Sequence, residues 1–212
     1  MQSDNRRRPT VWRGLFTHLD TAPLWVLGCL LVMLGCHGEP PPPTLSATGV
    51  PAAQQGPKLV GTGAVGPAQQ GMSVALSADG NTAVVGGSSD SGNVGAAWVY
   101  TRTAGVWTQQ GPKLVGTGAV GPAFQGISVA LSVDGNTAVV GGVGDSHFLG
   151  AAWVYTRTAG VWTQQGPKLV GADAVIFTNG GIAVALSADG NTAVVGGPFD
   201  DGEVGAAWVY TR

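Results

Sequence analysis

The sequence predicts an all-β chain in which a four-stranded antiparallel sheet is repeated every 55 residues. The segments QQGPKLV, DGNTAVVGG and GAAWVYTR each occur three times at that interval. Glycine accounts for 36 of the 212 residues, well above its usual share of about 7%. Charged residues make up only 10% of the chain. So much glycine and so few Glu, Lys and Arg disfavour a helical fold.

Each repeat contains four short runs of β-forming residues separated by turn residues. In the first repeat these are run a (73–77), run b (82–85), run c (96–102) and run d (106–109, with an extension through 113–115). Asp79-Gly80 joins runs a and b and is a strong hairpin signal. Gly105 stands where the turn between runs c and d requires a left-handed residue. The pattern predicts antiparallel neighbours in the order a-b-c-d.

Repeated four-stranded units are typical of β-propeller blades, so the fold class is β-propeller-like with about three blades. A d-type run, residues 54–60, precedes the first a-b-c set, and the sequence stops after a run c. The leading run could complete the final blade. Closed propellers have about 4–8 blades, however. Two chains completing a ring, an open arc and a truncated product all remain open.

The motif VALSADGNTAVVGG followed by GAAWVYTR resembles bacterial FG-GAP repeat proteins, relatives of the integrin α-subunit propeller. The Gly-Gly after run b and the Gly-Ala that opens run c stand where that family has its glycine-rich signatures. The resemblance covers about residues 51–212. It implies a propeller fold outside the cytoplasm and no reaction. Many family members carry an Asp-x-Asp-x-Asp-Gly calcium loop between the first two strands, which is reduced here to Asp79-Gly80-Asn81.

The N-terminal residues are typical of an export signal. Arginines at positions 6–8 and 13 precede an uncharged run, residues 22–35, that is too short to span a membrane as a helix. Its end, Gly35-Cys36, resembles a lipobox and predicts lipidation at Cys36; an ordinary signal peptide is the alternative. We therefore expect a lipoprotein-type signal peptide (1–36), a Pro-rich linker (37–53) and propeller repeats (54–212, in units of about 54–105, 106–160 and 161–212). The expected location is the bacterial cell envelope, lipid-anchored or secreted.

The near-identity of the repeats favours a binding or structural module over an enzyme. The three repeats are nearly identical, whereas a catalytic site needs unlike groups that converge on one place. Beyond residue 36 the chain has six Lys and Arg against ten Asp and Glu, which argues against nucleic-acid binding. The alternatives are a subunit or fragment of a surface glycan-active enzyme and a truncated gene product without function. We expect no cofactor, with calcium as the one candidate.

Acidic residues recur at two places in each repeat. Asp79 and its counterparts Asp134 and Asp189 are explained by hairpin turns. The second set, Asp90, Asp145 and Asp200, is expected to accept hydrogen bonds from the amides of its own loop. The one acidic cluster, Asp200, Asp201 and Glu203, could hold a hard cation through oxygen ligands.

Sequence differences between the repeats fall mainly in the b–c loops and the d–a crossovers. Because each strand reverses direction, these segments lie together on one face of the blades, and the constant a–b and c–d turns lie on the other. Binding residues concentrate in loops on a rigid scaffold. The predicted ligand-binding face carries Phe124, His147, Phe148, Phe177 and Phe199. Its expected partner is a protein or glycan ligand; the lipid anchor would contact the membrane, and a second copy of the chain is a candidate partner.

Overall fold

The computed structural model describes residues 53–212 of the chain. The expected signal peptide with Cys36, and the linker up to residue 52, lie outside the described residues. No helix in the described part is long and apolar enough to cross a membrane.

The described residues form three antiparallel sheets, here named blades 1, 2 and 3. Blade 1 contains β1 (Ser73–Leu76), β2 (Thr82–Gly87), β3 (Ala96–Thr103) and β4 (Val106–Gln109). Blade 2 contains β5 (Gln125–Leu131), β6 (Thr137–Gly142), β7 (Ala151–Thr158) and β8 (Val161–Gln164). Blade 3 contains β9 (Ala183–Leu186), β10 (Thr192–Gly197) and β11 (Ala206–Thr211). Neighbouring strands pair in sequence order, which confirms the predicted all-β, propeller-like blades.

The second and third strands pair in the same register in every blade. Thr82 pairs with Thr101 in blade 1, and the pairing recurs 55 residues later in each following blade. One-turn segments connect these two strands: α1 (Asp90–Asn93), α2 (Asp145–Phe148) and α3 (Asp200–Glu203). The sequence repeat is therefore also a repeat of strand register.

The hairpin between the first two strands of a blade is held by its aspartate. Asp79 accepts hydrogen bonds from the Ser77 hydroxyl (2.5 Å) and from the Asn81 amide (2.9 Å). These bonds to the charged carboxylate lower the pKa of Asp79 to about 2. Asp134 and Asp189 have the same partners in their own turns. These contacts confirm that the repeated Asp-Gly is a turn element.

A tryptophan fills the core of blades 1 and 2. Trp153 is fully buried, and its indole N–H donates to the carbonyl of Thr117 at 2.9 Å. Gly116 lies against the ring, since a Cβ there would be 2.2 Å from the Trp153 Cδ1. Trp98 has the equivalent partners, Thr62 and Gly61, in blade 1. The crossover into a blade must therefore carry glycine where it passes over the indole.

The leading run does not form the expected strand, and one of the open alternatives for the last blade is not realised within the chain. The leading run, residues 54–60, forms no strand, so the described chain has eleven strands and not twelve. Nor does this run complete blade 3: the Gln55 side chain accepts a hydrogen bond from Arg102 of blade 1 at 3.0 Å. The outer edge of β11 has no partner strand among the described residues. In blades 1 and 2 the residues that match most of this run, 110–115 and 165–170, follow the fourth strand and form only an isolated bridge, at Leu114 and Leu169.

Candidate functional site

The b–c loops and the d–a crossovers lie together at one end of the blades. Each of the turns α1, α2 and α3 contacts the crossover that leads into its own blade. The Ser91 amide donates to the carbonyl of Val65 (2.9 Å), and the Ser146 amide donates to that of Val120 (3.0 Å). At the opposite end of blade 1, the Arg102 amide donates to the carbonyl of Asn81, which joins the a–b and c–d turns. The variable segments therefore lie at one end of the blades and the constant turns at the other.

A buried aspartate at the start of each turn ties it to the crossover. Asp145 is fully buried and accepts hydrogen bonds from the Val120 amide (2.8 Å) and from the Lys168 ammonium group. Asp90 has the equivalent partners Val65 and Lys113. Burial opposes the charged form of Asp90, but the hydrogen bonds from Lys113 and Val65 outweigh it and lower its pKa. The amide comes from the crossover 25 residues earlier, not from the aspartate's own loop as expected.

Three of the predicted phenylalanines form one aromatic row. The rings of Phe124 and Phe148 have centroids 6.4 Å apart and an interplanar angle of 27°. Phe148 and Phe177 follow at 6.5 Å and 24°. Phe124 belongs to the crossover into blade 2, Phe148 to α2, and Phe177 to the crossover into blade 3. The row therefore crosses from blade 2 to blade 3.

All three residues of the aromatic row have left-handed backbone conformations. Their φ angles are +55° at Phe124, +63° at Phe148 and +68° at Phe177. A left-handed conformation costs a residue other than glycine about 1–2 kcal/mol. Such strain concentrates at ligand-binding sites, where the surrounding structure maintains it. The same conformation recurs at the counterparts of Phe124 and Phe148 in the other repeats (Gln69, Asn179, Asn93 and Glu203), where it belongs to the fold. Only Phe177, which stands in place of a proline, has a left-handed conformation in this repeat alone.

A cleft of about 550 Å³ opens beside the row. Phe148, Phe177 and Phe199 line it and are 41%, 62% and 43% exposed. The remaining lining residues belong to the crossover into blade 3 and to α3: Val175, Ile176, Asn179, Gly202 and Glu203. The first three of these, Val175, Ile176 and Asn179, were not predicted from the sequence. The available signal was the substitution of Val-Ile-Phe (175–177) for the Val-Gly-Pro of the two earlier crossovers.

His147 does not line this cleft; it is exposed in α2 with a φ of +61°. Phe124 is half-buried at the start of the row. Of the five predicted residues, the structure brings four together, in the row and its cleft. Whether they bind a ligand stays a prediction.

The three carboxylates of the acidic cluster have different environments: one is buried and hydrogen-bonded, and two are exposed. Asp200 is 6% exposed, and its Oδ1 accepts from the Thr178 hydroxyl (2.6 Å) and the Val175 amide (3.1 Å). Asp201 and Glu203 are exposed. Among the described residues no group of three His, Cys, Asp or Glu side chains could hold a metal ion. The structure therefore does not assemble the three carboxylates into a cation site.

No protein-family model and no curated protein matches this chain. Several solved structures are similar to part of its backbone fold. Sqt1 of Saccharomyces cerevisiae is 13% identical over 69% of this chain, with a TM-score of 0.44. TolB of Acinetobacter baumannii is 11% identical over 66% (TM-score 0.36), and the periplasmic gluconolactonase PpgL of Pseudomonas aeruginosa is 19% identical over 66% (TM-score 0.42).

The similar segments cover 32%, 32% and 38% of these three proteins, so this chain spans about a third of their length. The assignment of propeller-type blades stands on the chain's own strand order and register, which recur from blade to blade. The chain is a propeller-type repeat module.

Proposed function

We propose that this chain is an exported, lipid-anchored binding module of the FG-GAP propeller type, without catalytic activity. The signal-like N-terminus and Gly35-Cys36 support export and anchoring. The glycine signatures of the repeats support the family. The aromatic row supports binding, and it is the single observation on which the proposed function depends.

The exposure of the row favours a binding role over a packing role. Phe177 is 62% exposed and its neighbour Ile176 is 66% exposed. In the first two crossovers the position of Phe177 is occupied by a proline, Pro67 or Pro122. Contiguous exposed apolar groups with a polar rim mark interaction surfaces. A large apolar side chain at a strained, exposed position is unfavourable for folding alone, and a ligand that covers it would offset that cost.

The polar groups beside the rings indicate the class of ligand. The lining residues Asn179 and Glu203 offer an amide and a carboxylate. An apolar site with a few convergent hydrogen-bonding groups suits a ligand that has both a flat apolar face and hydroxyl or amino groups. The carboxylate disfavours anionic ligands. We therefore propose a neutral or amino-bearing glycan that lies along Phe148 and Phe177.

The test is a titration of the protein with cellohexaose, with a chitosan hexamer and with heparin as the anionic comparison. We expect binding of one or both of the first two and no binding of heparin. Phe148→Ser and Phe177→Ser should each weaken binding at least about 10-fold, as expected for aromatic anchors. Val161→Ser is the matched control, since Val161 is also 62% exposed but lies at the opposite end of blade 2. Calorimetry would provide the affinities.

Two results would contradict the binding proposal. One is that neither oligosaccharide binds the folded protein. The other is that binding is unchanged by both phenylalanine substitutions, or is weakened equally by Val161→Ser, which would place the ligand elsewhere.

The anchor is tested separately. We expect the full-length protein, produced in a bacterial host, to partition into the detergent phase, and Cys36→Ser to move it to the aqueous phase. Cys29→Ser is the control, because the apolar run before Cys29 is too short for a signal. The mass of the mature N-terminus checks the result. If Cys36→Ser leaves both processing and partition unchanged, the anchoring proposal is wrong.

A further inference from the structure

The interface between successive blades occurs twice within this chain. Between blades 1 and 2, Val84, Ala97 and Val99 form one core cluster with Val140 and Tyr155. Val129 and Leu131 of β5 pack against that cluster. Between blades 2 and 3, Val139 and Ala152 cluster with Ala193 and Val195, with Val184 and Leu186 of β9 packed against them. One apolar face of each blade therefore fits the opposite face of the next.

Both faces of this interface are exposed at the two ends of the array. Val74 and Leu76, the β1 counterparts of Val129 and Leu131, are 69% and 59% exposed. At the other end Val209 of β11 is 64% exposed, whereas its counterpart Val99 is fully buried. The ends of the described chain are therefore the two complementary surfaces of one heterologous interface.

In each complete blade, a short segment after the fourth strand pairs with the N-terminal part of the third strand. Leu114 and Ala97 exchange two backbone hydrogen bonds, of 2.7 and 3.0 Å, and Lys113 forms an ion pair with Asp90. In blade 2, Leu169 and Ala152 form the same bridge, and Lys168 pairs with Asp145. This edge segment has the sequence Gln-Gly-Pro-Lys-Leu in both blades.

Blade 3 has the acceptor groups for such a segment, but no described residue provides the segment or a fourth strand. Ala207 is the counterpart of Ala97, and Asp200 is the counterpart of Asp90; no described lysine contacts Asp200. A free segment with the required sequence stands at the other end, as Gln55 to Leu59. Lys58 is exposed and forms no ion pair with any described residue. Leu59 makes no backbone hydrogen bond to Ala207 in this chain.

The free segment is already positioned as an edge that precedes blade 1. Arg102 donates to Gln55 (3.0 Å), as Arg157 of blade 2 donates to Gln110 of the preceding edge segment (3.1 Å). Leu59 packs against the Trp98 cluster of blade 1. The segment therefore needs only a blade on its other side.

We propose that two copies of this chain join head to tail, with the free edge segment of each copy closing blade 3 of the other. Lys58 of one copy forms an ion pair with Asp200 of the second, and Leu59 bridges Ala207. Val74 and Leu76 cover the face that includes Val209. Two such junctions join the six described blades of the two copies into a ring, and six is within the usual 4–8 blades of a closed propeller.

A cross-link tests this arrangement with the full chain in a background in which Cys29 and Cys36 are replaced by serine. Two single-cysteine proteins, Leu59→Cys and Ala207→Cys, are mixed, with a tag that distinguishes their masses. Opposed strand residues have Cα atoms about 4.5–5.5 Å apart, which is within disulfide range. We expect a disulfide between the two different proteins and none between two copies of either. The pair Ala97→Cys and Leu114→Cys within one chain is the positive control, since those residues already form the bridge.

A glycine substitution provides an independent measurement. A Cβ on Gly196 would meet only Ala183, its Cβ at 3.6 Å and its carbonyl oxygen at 3.7 Å, which are ordinary contacts, so Gly196→Ala should fold normally. In the proposed junction this glycine faces the carbonyl of Gly71 of the second copy, as Gly86 faces that of Gly126 within the chain. We expect sedimentation velocity to show a dimer of the unsubstituted protein, and Gly196→Ala to weaken dimerisation at least about 10-fold. Lys58→Glu should weaken it as well.

Several outcomes would overturn the proposal. A monomer at all concentrations contradicts it, and so does an open polymer. Dimerisation that is unaffected by Gly196→Ala places the interface elsewhere. A disulfide between Leu59→Cys and Ala207→Cys that forms only when both are in one chain would indicate closure within the monomer. None of these readouts depends on the aromatic row, so they are separate from the test of ligand binding.

Discussion

Gly141→Ala is expected to destabilise the protein by more than about 4 kcal/mol, which would place it among the largest effects of single substitutions. A Cβ at this position would be 2.1 Å from the carbonyl oxygen of Gly181 and 2.4 Å from the Ser128 hydroxyl. The carbonyl oxygen of Gly181 belongs to the backbone that leads into blade 3, so it cannot rotate away as a side chain could. The added methyl group would therefore push blades 2 and 3 apart and open the apolar cluster between them.

The control is Gly196→Ala, which lies at the same repeat position. There the nearest atom to a new Cβ is the Ala183 Cβ at 3.6 Å, an ordinary contact. We expect its free energy of unfolding to stay within about 1 kcal/mol of the unsubstituted protein. Both variants should be unfolded in urea at a concentration at which the unsubstituted protein is monomeric. Equal stabilities of the two variants would mean that the spacing between the blades is not set by these glycines.

Local structure followed from the sequence where the determining contacts lie within a few residues. The Asp79-Gly80 turn is one example: its hydrogen bonds reach only Ser77 and Asn81. Run c is a second example: its β-forming residues predict a strand over 96–102, and β3 extends it by one residue at its C-terminal end. The strand predicted for the leading run does not form. Residues 54–60 match residues 109–115, which begin only at the last residue of β4, so the run lacks the Val-Trp-Thr with which β4 and β8 begin.

The left-handed turn before the third strand was not predictable from propensity. In α1 and α3 its central residue is a glycine, Gly92 or Gly202, which accepts a positive φ without strain. In α2 the same position is His147, between Ser146 and Phe148, and all three have positive φ. Three consecutive non-glycine residues in this conformation oppose the local preference of L-amino acids. Contacts with the crossover and the buried Asp145 maintain the turn instead.

The candidate site was predicted as a face but not as an arrangement. Phe124, Phe148 and Phe177 occupy three different repeat positions, matching Gln69, Asn93 and Pro67 of the first repeat. Comparing repeats therefore marks each as a difference without indicating that their rings meet. The contact between Phe148 and Phe177 depends on how blade 3 packs on blade 2, which is a long-range property. Sequence differences locate variable loops, and only the packing of the blades shows which of them are neighbours.

The second large effect is expected at the buried ion pair of blade 2. Asp145→Asn should destabilise the protein by about 3 kcal/mol, because it leaves the charge of Lys168 without its partner. The Asp145 side chain is fully buried, and that of Lys168 is 19% exposed. The lysine can therefore recover part of its hydration. The expected loss of stability is for this reason at the lower end of the range of about 3–5 kcal/mol that is typical when one partner of a buried ion pair is removed. The asparagine oxygen can still accept from the Val120 amide, so the loss reports mainly on the ion pair.

Blade 3 provides the matched comparison, because Asp200 keeps the contact with the crossover but has no lysine partner among residues 53–212. Its partners are the Val175 amide and the Thr178 hydroxyl. Asp200→Asn should cost only about 1 kcal/mol in the monomer, the usual net value of a hydrogen bond. Replacing both partners in blade 2, as Asp145→Asn with Lys168→Met, should recover much of the loss, since no unpaired charge remains. Urea unfolding of the four proteins measures these differences. If Asp145→Asn and Asp200→Asn cost the same, and Lys168→Met brings no recovery, the stabilisation comes from the bond between turn and crossover, and the lysine contributes nothing to it.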